Sequence, residues 1–335
     1  MNKVIFNLQL FANMNTNTIT GSTAAPNDLS PTRKVFYNTS LLENARTELY
    51  FVQLGKKVPL PKGNGDKVEW RKFDTFANAT TPLQEGVTPD GNKLNMTKIT
   101  AQIEQYGDYT TISDRLELEA VDPIILSVTE EHGAQAGETM DILCRNELLT
   151  GSHYMYANGK TSRASLTAAD KITAKDVNKF RTHLKKMKAP TDSTGSYVAI
   201  IHPSVAEDLR NDADWLKPHE YVDTAEIYNG EIGKIHGVRF IESINAKVFS
   251  ATDAGATGAV YVTLIMGADA YGVVEPSAES LEVIVKQKGS AGTSDPLDQR
   301  STVGWKASTA TKILYNERIL RFESGSSYSA IDKGN

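Results

Sequence analysis

DPIILSVTEEHGAQAGETMDILCRNELLTG, residues 122–151, is the stretch from which the rest of the chain is read. Asp122 suits an N-cap, and Pro123 suits the first helical position, where its missing N–H costs nothing. Ile125, Val128, Ala136, Met140 and Leu143 recur at helical spacing. Gly151 follows the last periodic residue, as a left-handed C-terminal cap would. At 1.5 Å per residue the helix would run ~40 Å, long for a compact domain. Gly133 and Gly137 sit on one face, and each costs about 1 kcal/mol against Ala. A helix weakened twice in its middle reads as a spine that something packs closely across. By itself it names no function.

Upstream, residues 13–33 are rich in Asn, Thr, Ser, Ala and Pro and read as a flexible arm. A short amphipathic helix follows, with Leu41, Ala45 and Leu49 on one face and Pro59 and Pro61 ending it. In GNGDKVEWRKFDTF (63–76) a turn leads into a strand, Val68 and Trp70 alternating with Glu69 and Arg71. Residues 75–95, punctuated by Pro82, Gly86, Pro89 and Gly91, read as a loop tip. The chain returns with Ile99, Ala101 and Ile103 on one face and Thr100, Gln102 and Glu104 on the other. This is an extended hairpin, and a two-stranded ribbon is marginal alone. It either folds over its own subunit as an edge ribbon or lies as an arm across a neighbouring chain, and its length favours the arm.

Downstream of the spine the texture changes to strands alternating with helices. Thr173 caps a helix whose stripe is Val177, Phe180, Leu184 and Met187. A buried strand is expected at 197–201, then a helix opened by His202 and Pro203 and carrying Val205 and Leu209. Further strands are expected at 234–242 and 260–265, which makes 172–272 an α/β block. A β run at 281–286, a Gly/Ser/Asp loop to Arg300, a long closing segment at 301–323 and a flexible tail complete the chain.

Composition sets bounds. The 335 residues imply one large or two ordinary domains, and 40% hydrophobic with 23% charged content is that of a folded soluble protein. A net charge of -5 argues against a chain-wide nucleic-acid surface. Cys144 is the single cysteine, so no intrachain disulfide forms, and it reads as a small core residue. Asn7 and Gln9 interrupt the apolar start MNKVIFNLQLFA, which argues against a signal peptide, and no run reaches the ~20 apolar residues of a membrane span.

The sequence carries no catalytic constellation. Its six histidines are scattered, without metal-ligand spacing. Glu131 and His132 read as a solvated or hydrogen-bonded helical face rather than a ligand pair. The run from Gly230 to Lys234 fails as a phosphate loop because Tyr228 and Ile235 stand where Gly and Ser or Thr are required. Gly233 and Gly237 read instead as a turn and a bulge between strands. Asp212 and Asp214 read as an exposed helix end, and Lys185, Lys186 and Lys188 as cations suited to a helix C-terminus. The expected catalytic, cofactor-binding and metal-binding residues are therefore none, with no cofactor and no enzyme activity.

The order of parts resembles the major capsid protein of tailed double-stranded DNA bacteriophages, the fold named after phage Hong Kong ninety-seven, and within it the branch typified by coliphage N-four. The resemblance rests on PLPKGNGDKVEWRKF (59–73), TPLQEGVTPDG (81–91), GDYTTISDRLELEAVDPII (107–125), YVAIIHPSVAEDLR (197–210), EIGKIHGVRFIES (231–243) and DPLDQRSTVGWKASTATKILYNERILRFES (295–324). The opening NLQLFA also resembles the start of structural proteins in phages of Gram-positive hosts.

The resemblance implies an α+β chain in seven parts. They are a flexible N-terminal arm at 1–38, a short amphipathic helix at 39–55 and a β-hairpin E-loop at 56–112. A peripheral domain with the spine helix at 113–171 and an α/β axial domain at 172–272 follow. Peripheral-domain β segments return at 273–323, and a flexible tail occupies 324–335. It further implies hexamers and pentamers of the chain itself, closed into an icosahedral shell around packaged DNA bound without sequence specificity. The shell would carry a portal protein and be assembled in the host bacterial cytoplasm, with no membrane partner. Decoration proteins are further partners in such shells. The short stretch ahead of the amphipathic helix leaves no room for a long internal scaffold, so a separate scaffolding protein, or none, is expected. Lys93 and Asn92 near the tip do not establish a cross-linking pair, and no cross-link is expected. Gly133 and Gly137 are the expected hinges of the spine. The rival readings are a cellular encapsulin shell, an enzyme built on the α/β block with the hairpin as a lid, and a secreted adhesin, which lacks a signal.

Overall fold

The computed structural model describes residues 49–61, 65–88, 91–119, 124–215, 231–276, 281–290 and 295–335. The expected arm, most of the amphipathic helix, and the Asp122 and Pro123 start of the long helix lie outside these residues.

The strands are β1 (Lys56–Leu60), β2 (Lys67–Phe73), β3 (Met96–Gln102), β4 (Glu104–Ser113), β5 (Tyr154–Tyr156), β6 (Tyr197–Ile201) and β7 (Glu231–Ile235). They continue with β8 (Val238–Glu242), β9 (Val248–Phe249), β10 (Val260–Met266), β11 (Tyr271–Pro276), β12 (Glu282–Lys286), β13 (Arg300–Ile313) and β14 (Ile319–Ser324). Four helices matter here: α1 (Asp114–Glu119), α2 (Ile124–Leu148), α3 (Ala174–Lys186) and α4 (Pro203–Arg210).

The seven-stranded sheet runs β5-β14-β10-β6-β8-β7, with β9 also paired to β10. Its central strand YVAII is buried at all five positions, because both faces are covered. One face carries Ala199, Ile201, Tyr261 and Phe322 against Val177, Phe180 and Leu184 of α3 and Val205 and Leu209 of α4. The other carries Ile200, Val262 and Leu264 against Cys144 and Leu148 of α2 and against Phe51. Helix α3 begins as expected, with Thr173 and Asp176 closing a capping box. His202 caps α4 and Pro203 occupies its first turn.

The five-stranded sheet is organised on the long strand β13. Gly304 pairs with Tyr109 of β4 and with Ile284 of β12, so those strands flank β13 on opposite sides. β11 pairs with the end of β13, and β1 joins it in parallel, Lys56 opposite Gly272. β1 corrects the reading of Pro59 as a helix terminator, since Pro59 sits within this strand. Helix α2 lays Ala136 and Met140 over Trp305 and Ala307 of β13.

The expected strand at 234–242 is a hairpin. His236 and Gly237 both take positive φ, 50° and 75°, and turn β7 into β8 as a two-residue hairpin loop requires. Gly233 lies at the register shift on β7. Gly151 is not a left-handed cap: α2 ends at Leu148, and the Thr150 N–H and hydroxyl both donate to the Glu147 carbonyl.

The two glycines of α2 differ. A Cβ on Gly137 would lie 2.7 Å from the Leu49 Cδ1, whereas one on Gly133 would meet nothing within 4 Å. The close approach inferred from sequence therefore exists at Gly137 alone. Gly133→Ala should stabilise the subunit by about 1 kcal/mol, read as a higher urea midpoint with unchanged slope. A lower midpoint would show that the position is strained by a side chain.

The end of the chain corrects the expectation of a flexible tail. Ser324 lies in β14, and the residues after it are tied down by polar bonds. The Ser327 N–H donates to Asp208, the Ser326 hydroxyl to the Ser204 carbonyl at 2.9 Å, and the Tyr261 hydroxyl to Asp332 at 2.6 Å. This strap crosses α4 and β10 and brings Asn335 to Val248.

His202, His183 and the strap carboxylate Asp332 are expected to make stability pH-dependent. Burial lowers the His202 imidazole, against the opposing pull of Asp332 and Glu242, and burial followed by the nearby His153 lowers His183. A histidine with a folded pKa below its unfolded value is protonated first in the unfolded chain. Its contribution is intact above about pH 6.5 and declines as pH falls through that value. Hydrogen bonds from Ser329 and Tyr261 hold Asp332 below the usual range, which adds a second loss from about pH 4 downward. Thermal midpoints should fall between about pH 8 and pH 5, and His202→Asn, which keeps a capping side chain, should flatten that slope. An unchanged slope would remove His202 from the effect.

Candidate assembly surface

Most candidates for chemistry resolve into structural roles. His132 is buried between α2 and β4, with Nε2 2.9 Å from the Thr110 hydroxyl and Nδ1 3.0 Å from Gln135 Oε1. Gln135 Oε1 also accepts from the Trp305 indole, so Nδ1 of His132 is the donor in that pair. Asp212 accepts from the backbone N–H groups of Ala174 and Asp214, a loop-fixing role. Cys144 is buried, its thiol pushed well up by desolvation and donating to the Phe51 carbonyl. Among the described residues no group of three or more His, Cys, Asp or Glu is placed to hold a metal, and no helix is long and apolar enough to cross a membrane. Gly230 lies outside the described residues, and Lys234 lies in β7.

The β2–β3 ribbon is anchored at its base and exposed toward its tip. Its strands pair antiparallel, Val68 opposite Ala101 and Trp70 opposite Ile99, as the alternation of apolar residues requires. The paired length is shorter than the extended hairpin read from sequence. At Ile103, whose N–H donates to the Asp66 carbonyl, the chain leaves β2 and continues as β4 alongside β13.

The base of the ribbon is anchored. Val68, Trp70, Ala101 and Ile103 pack on Val274, Ala310 and Leu60. Trp70 lies so close to β11 that a Cβ on Gly272 would come within 2.9 Å of its ring, which requires glycine there. Lys72 adds an ion pair to Glu317 at 3.6 Å and sits 4.7 Å from the Tyr315 ring centroid.

Beyond the base, no described residue covers the ribbon. Every described residue from 73 to 96 is exposed. Phe73, Phe76, Leu83, Val87, Leu94 and Met96 stand in solvent, Leu83 at 79% exposure. Single exposed apolar side chains are ordinary, whereas contiguous exposed apolar surface marks interaction sites, and these six fall within residues 73–96. Sequence reasoning located the tip from its Pro and Gly punctuation. It did not single out these six, although the spacing of large apolar residues through a polar loop was there to be read.

A model of the family described as phage capsid protein matches residues 132–289, from the middle of α2 through β12. No protein with a curated description matches the sequence. Among solved structures, the chain is similar to the capsid of Ralstonia phage GP4, with 16% identity, a TM-score of 0.70, and coverage of 94% of this chain and 100% of that one. It is similar to the capsid of cyanophage P-SCSP1u at 13% identity and a TM-score of 0.67, covering 95% and 99% of the two chains. It is also similar to the head structure of Helicobacter pylori bacteriophage KHP40 at 13% identity and a TM-score of 0.68, covering 90% and 99%. Likeness at these identities shows the fold, the mixed α+β architecture of those capsid chains. The family model and these solved structures alike are those of phage capsids.

Proposed function

We propose that this chain is the major capsid protein of a tailed bacteriophage, of the fold named after phage Hong Kong ninety-seven and its N-four-type branch. It self-assembles through hexamers and pentamers into an icosahedral shell enclosing double-stranded DNA, and it is a structural protein rather than an enzyme. The observation that carries this reading is the capsid fold over nearly the whole chain joined to an anchored ribbon whose apolar tip has no partner among the described residues. In this reading residues 56–112 form the E-loop, 113–171 and 273–323 the peripheral domain with α2 as its spine, and 172–272 the axial domain.

The physical logic is that of a subunit completed by its neighbours. Fully burying a Leu, Val, Phe or Met side chain is worth about 1.5–3 kcal/mol, so six of them on one tip supply a large association term. Every copy both gives a tip and receives one, and contacts that form only in the assembled state stabilise it by mass action. Five- and six-fold rings of one chain require some bending, and the Cβ-free space at Gly133 is where α2 would give. A portal protein, a separate scaffolding protein or none, and optional decoration proteins are the partners such a shell would take, in the virion and, during assembly, in the host cytoplasm.

Sedimentation velocity of the purified protein tests the reading. A particle population far heavier than any small oligomer, with mass set by closed-shell copy number, is expected. A single monomer boundary that persists when the neighbouring phage genes are co-expressed would overturn it.

A further inference from the structure

Two buried charged residues one turn apart on α2, Asp141 and Arg145, hold three segments that are distant in sequence. Asp141 is 0% exposed. Its Oδ1 accepts from the backbone N–H groups of Phe51 at 2.8 Å and Val52 at 3.2 Å, and its Oδ2 accepts from the Asn245 side-chain amide at 3.4 Å. Arg145 donates from Nη1 to the Asn245 carbonyl at 2.8 Å and from Nη2 to the Asn335 carbonyl at 3.4 Å. Asn335 in turn donates from Nδ2 to the Ala246 carbonyl at 3.0 Å and accepts from the Val248 N–H at 3.0 Å. The Phe51 carbonyl accepts from the Cys144 thiol and the Tyr271 hydroxyl, so Phe51 is gripped through both its peptide groups.

Residues 49–54 carry the chain from the N-terminal region onto α2. Residues 243–248 leave β8 and lead into β9, at the margin of the seven-stranded sheet. The strap closes over both through Asn335. A buried carboxylate is tolerated only while its hydrogen bonds are made, so loss of one segment leaves the others holding an under-satisfied charge. Asn245 is the shared element, bonded through its side chain to Asp141 and through its carbonyl to Arg145.

We propose that Asp141, Asn245 and Arg145 form a conformational relay, in which docking of residues 49–54 on α2 is coupled to docking of the 243–248 loop and the 326–335 strap. Displacement of the segment entering α2 is transmitted to the edge of the seven-stranded sheet, and displacement of the strap is transmitted back. The relay is a property of the subunit and does not rest on the shell reading. Within that reading it gives the N-terminal region a route to the part of the chain farthest from it in sequence.

Hydrogen–deuterium exchange of the full chain, followed by mass spectrometry, tests the relay in both directions. Asp141→Asn removes an acceptor from Asn245 and weakens the grip on Phe51 and Val52. It should raise exchange on the order of five-fold or more in 49–54 and also in 326–335, which Asp141 does not touch. Asn335→Ala, at an exposed position, removes only the Asn335 side-chain bonds and should raise exchange at Phe51 and Val52, because coupling is reciprocal. Peptides from β10 and α3 should stay unchanged in both variants. Changes confined to the residues whose bonds were removed would overturn the relay, as would a rise spread equally into β10 and α3. If Asp141→Asn does not fold, the Asn335→Ala arm decides alone.

Discussion

Replacing Phe76, Leu83 and Leu94 together with serine should abolish particle formation while leaving the subunit's own unfolding free energy within about 0.5 kcal/mol of the parent. All three stand on the exposed tip of the ribbon, beyond the base that Trp70 anchors against Gly272. In the isolated subunit they contact little, so their loss removes little. In an assembly each would pass from water to an apolar contact, and about 1.5–3 kcal/mol per side chain is forfeited at every copy. Since about 1.4 kcal/mol is a factor of ten in an equilibrium constant, even partial burial of three side chains makes the loss of association severe. Sedimentation velocity and urea denaturation read the two halves separately. Particles at parental yield would remove the tip from the interface, and a lowered urea midpoint would place it in the subunit core.

The largest effect on the subunit itself is expected at Arg163. Its Nε and Nη2 donate to the two carboxylate oxygens of Glu323, each at 2.7 Å, and Glu323 is wholly buried in β14. The guanidinium also lies 3.7 Å from the Phe249 ring centroid. The hydrogen bond to Glu323 holds the Arg163 pKa above its ordinary value, against the cost of its partial burial. Arg163→Met leaves Glu323 with Arg321, whose Nε is 3.1 Å away, as its remaining cation. Removing one partner of a buried pair costs about 3–5 kcal/mol, so the urea midpoint should fall sharply. Adding Glu323→Leu should recover much of that loss, because the uncompensated charge, rather than the missing contact, carries the cost. A loss below about 1 kcal/mol in the single variant would mean the pair behaves as an exposed one.

Local patterns were readable wherever one kind of burial decided the outcome. The alternation of Val68 and Trp70 with Glu69 and Arg71, and of Ile99 and Ala101 with Thr100 and Gln102, defined the ribbon faces that the structure pairs in register. The stripe of Val177, Phe180 and Leu184 defined α3, and the uninterrupted YVAII defined a strand covered on both faces. What escaped reading depended on distant partners or on polar bonds. β1 exists because Lys56 to Pro59 pair in parallel with Gly272 to Glu275, and nothing local to Pro59 signals that. The apolar residues of 234–242 continue across His236 and Gly237, so the run reads as one strand; the glycines that read as a turn and a bulge take those roles, Gly237 in the turn and Gly233 at the register shift. The tail SGSSYSAIDKGN lacks the large apolar groups that mark packing, yet Ser326, Ser327 and Asp332 fasten it through hydrogen bonds. Asp141 and Arg145 carry no local signal of their role, because their partners lie some ninety or more residues away. The candidate surface was half readable: residues 75–95 read as a loop and carry no strand among the described residues, but their exposure could be known only from the fold.

Electron microscopy of the purified full-length protein, sized and imaged with no partner added and then with the neighbouring phage genes co-expressed, tests the central claim most directly. The account predicts closed, uniform icosahedral shells with five- and six-fold rings, in which the tip of each ribbon lies on another copy. Monomers or irregular aggregates under both conditions, with the tip free in every molecule, would contradict it.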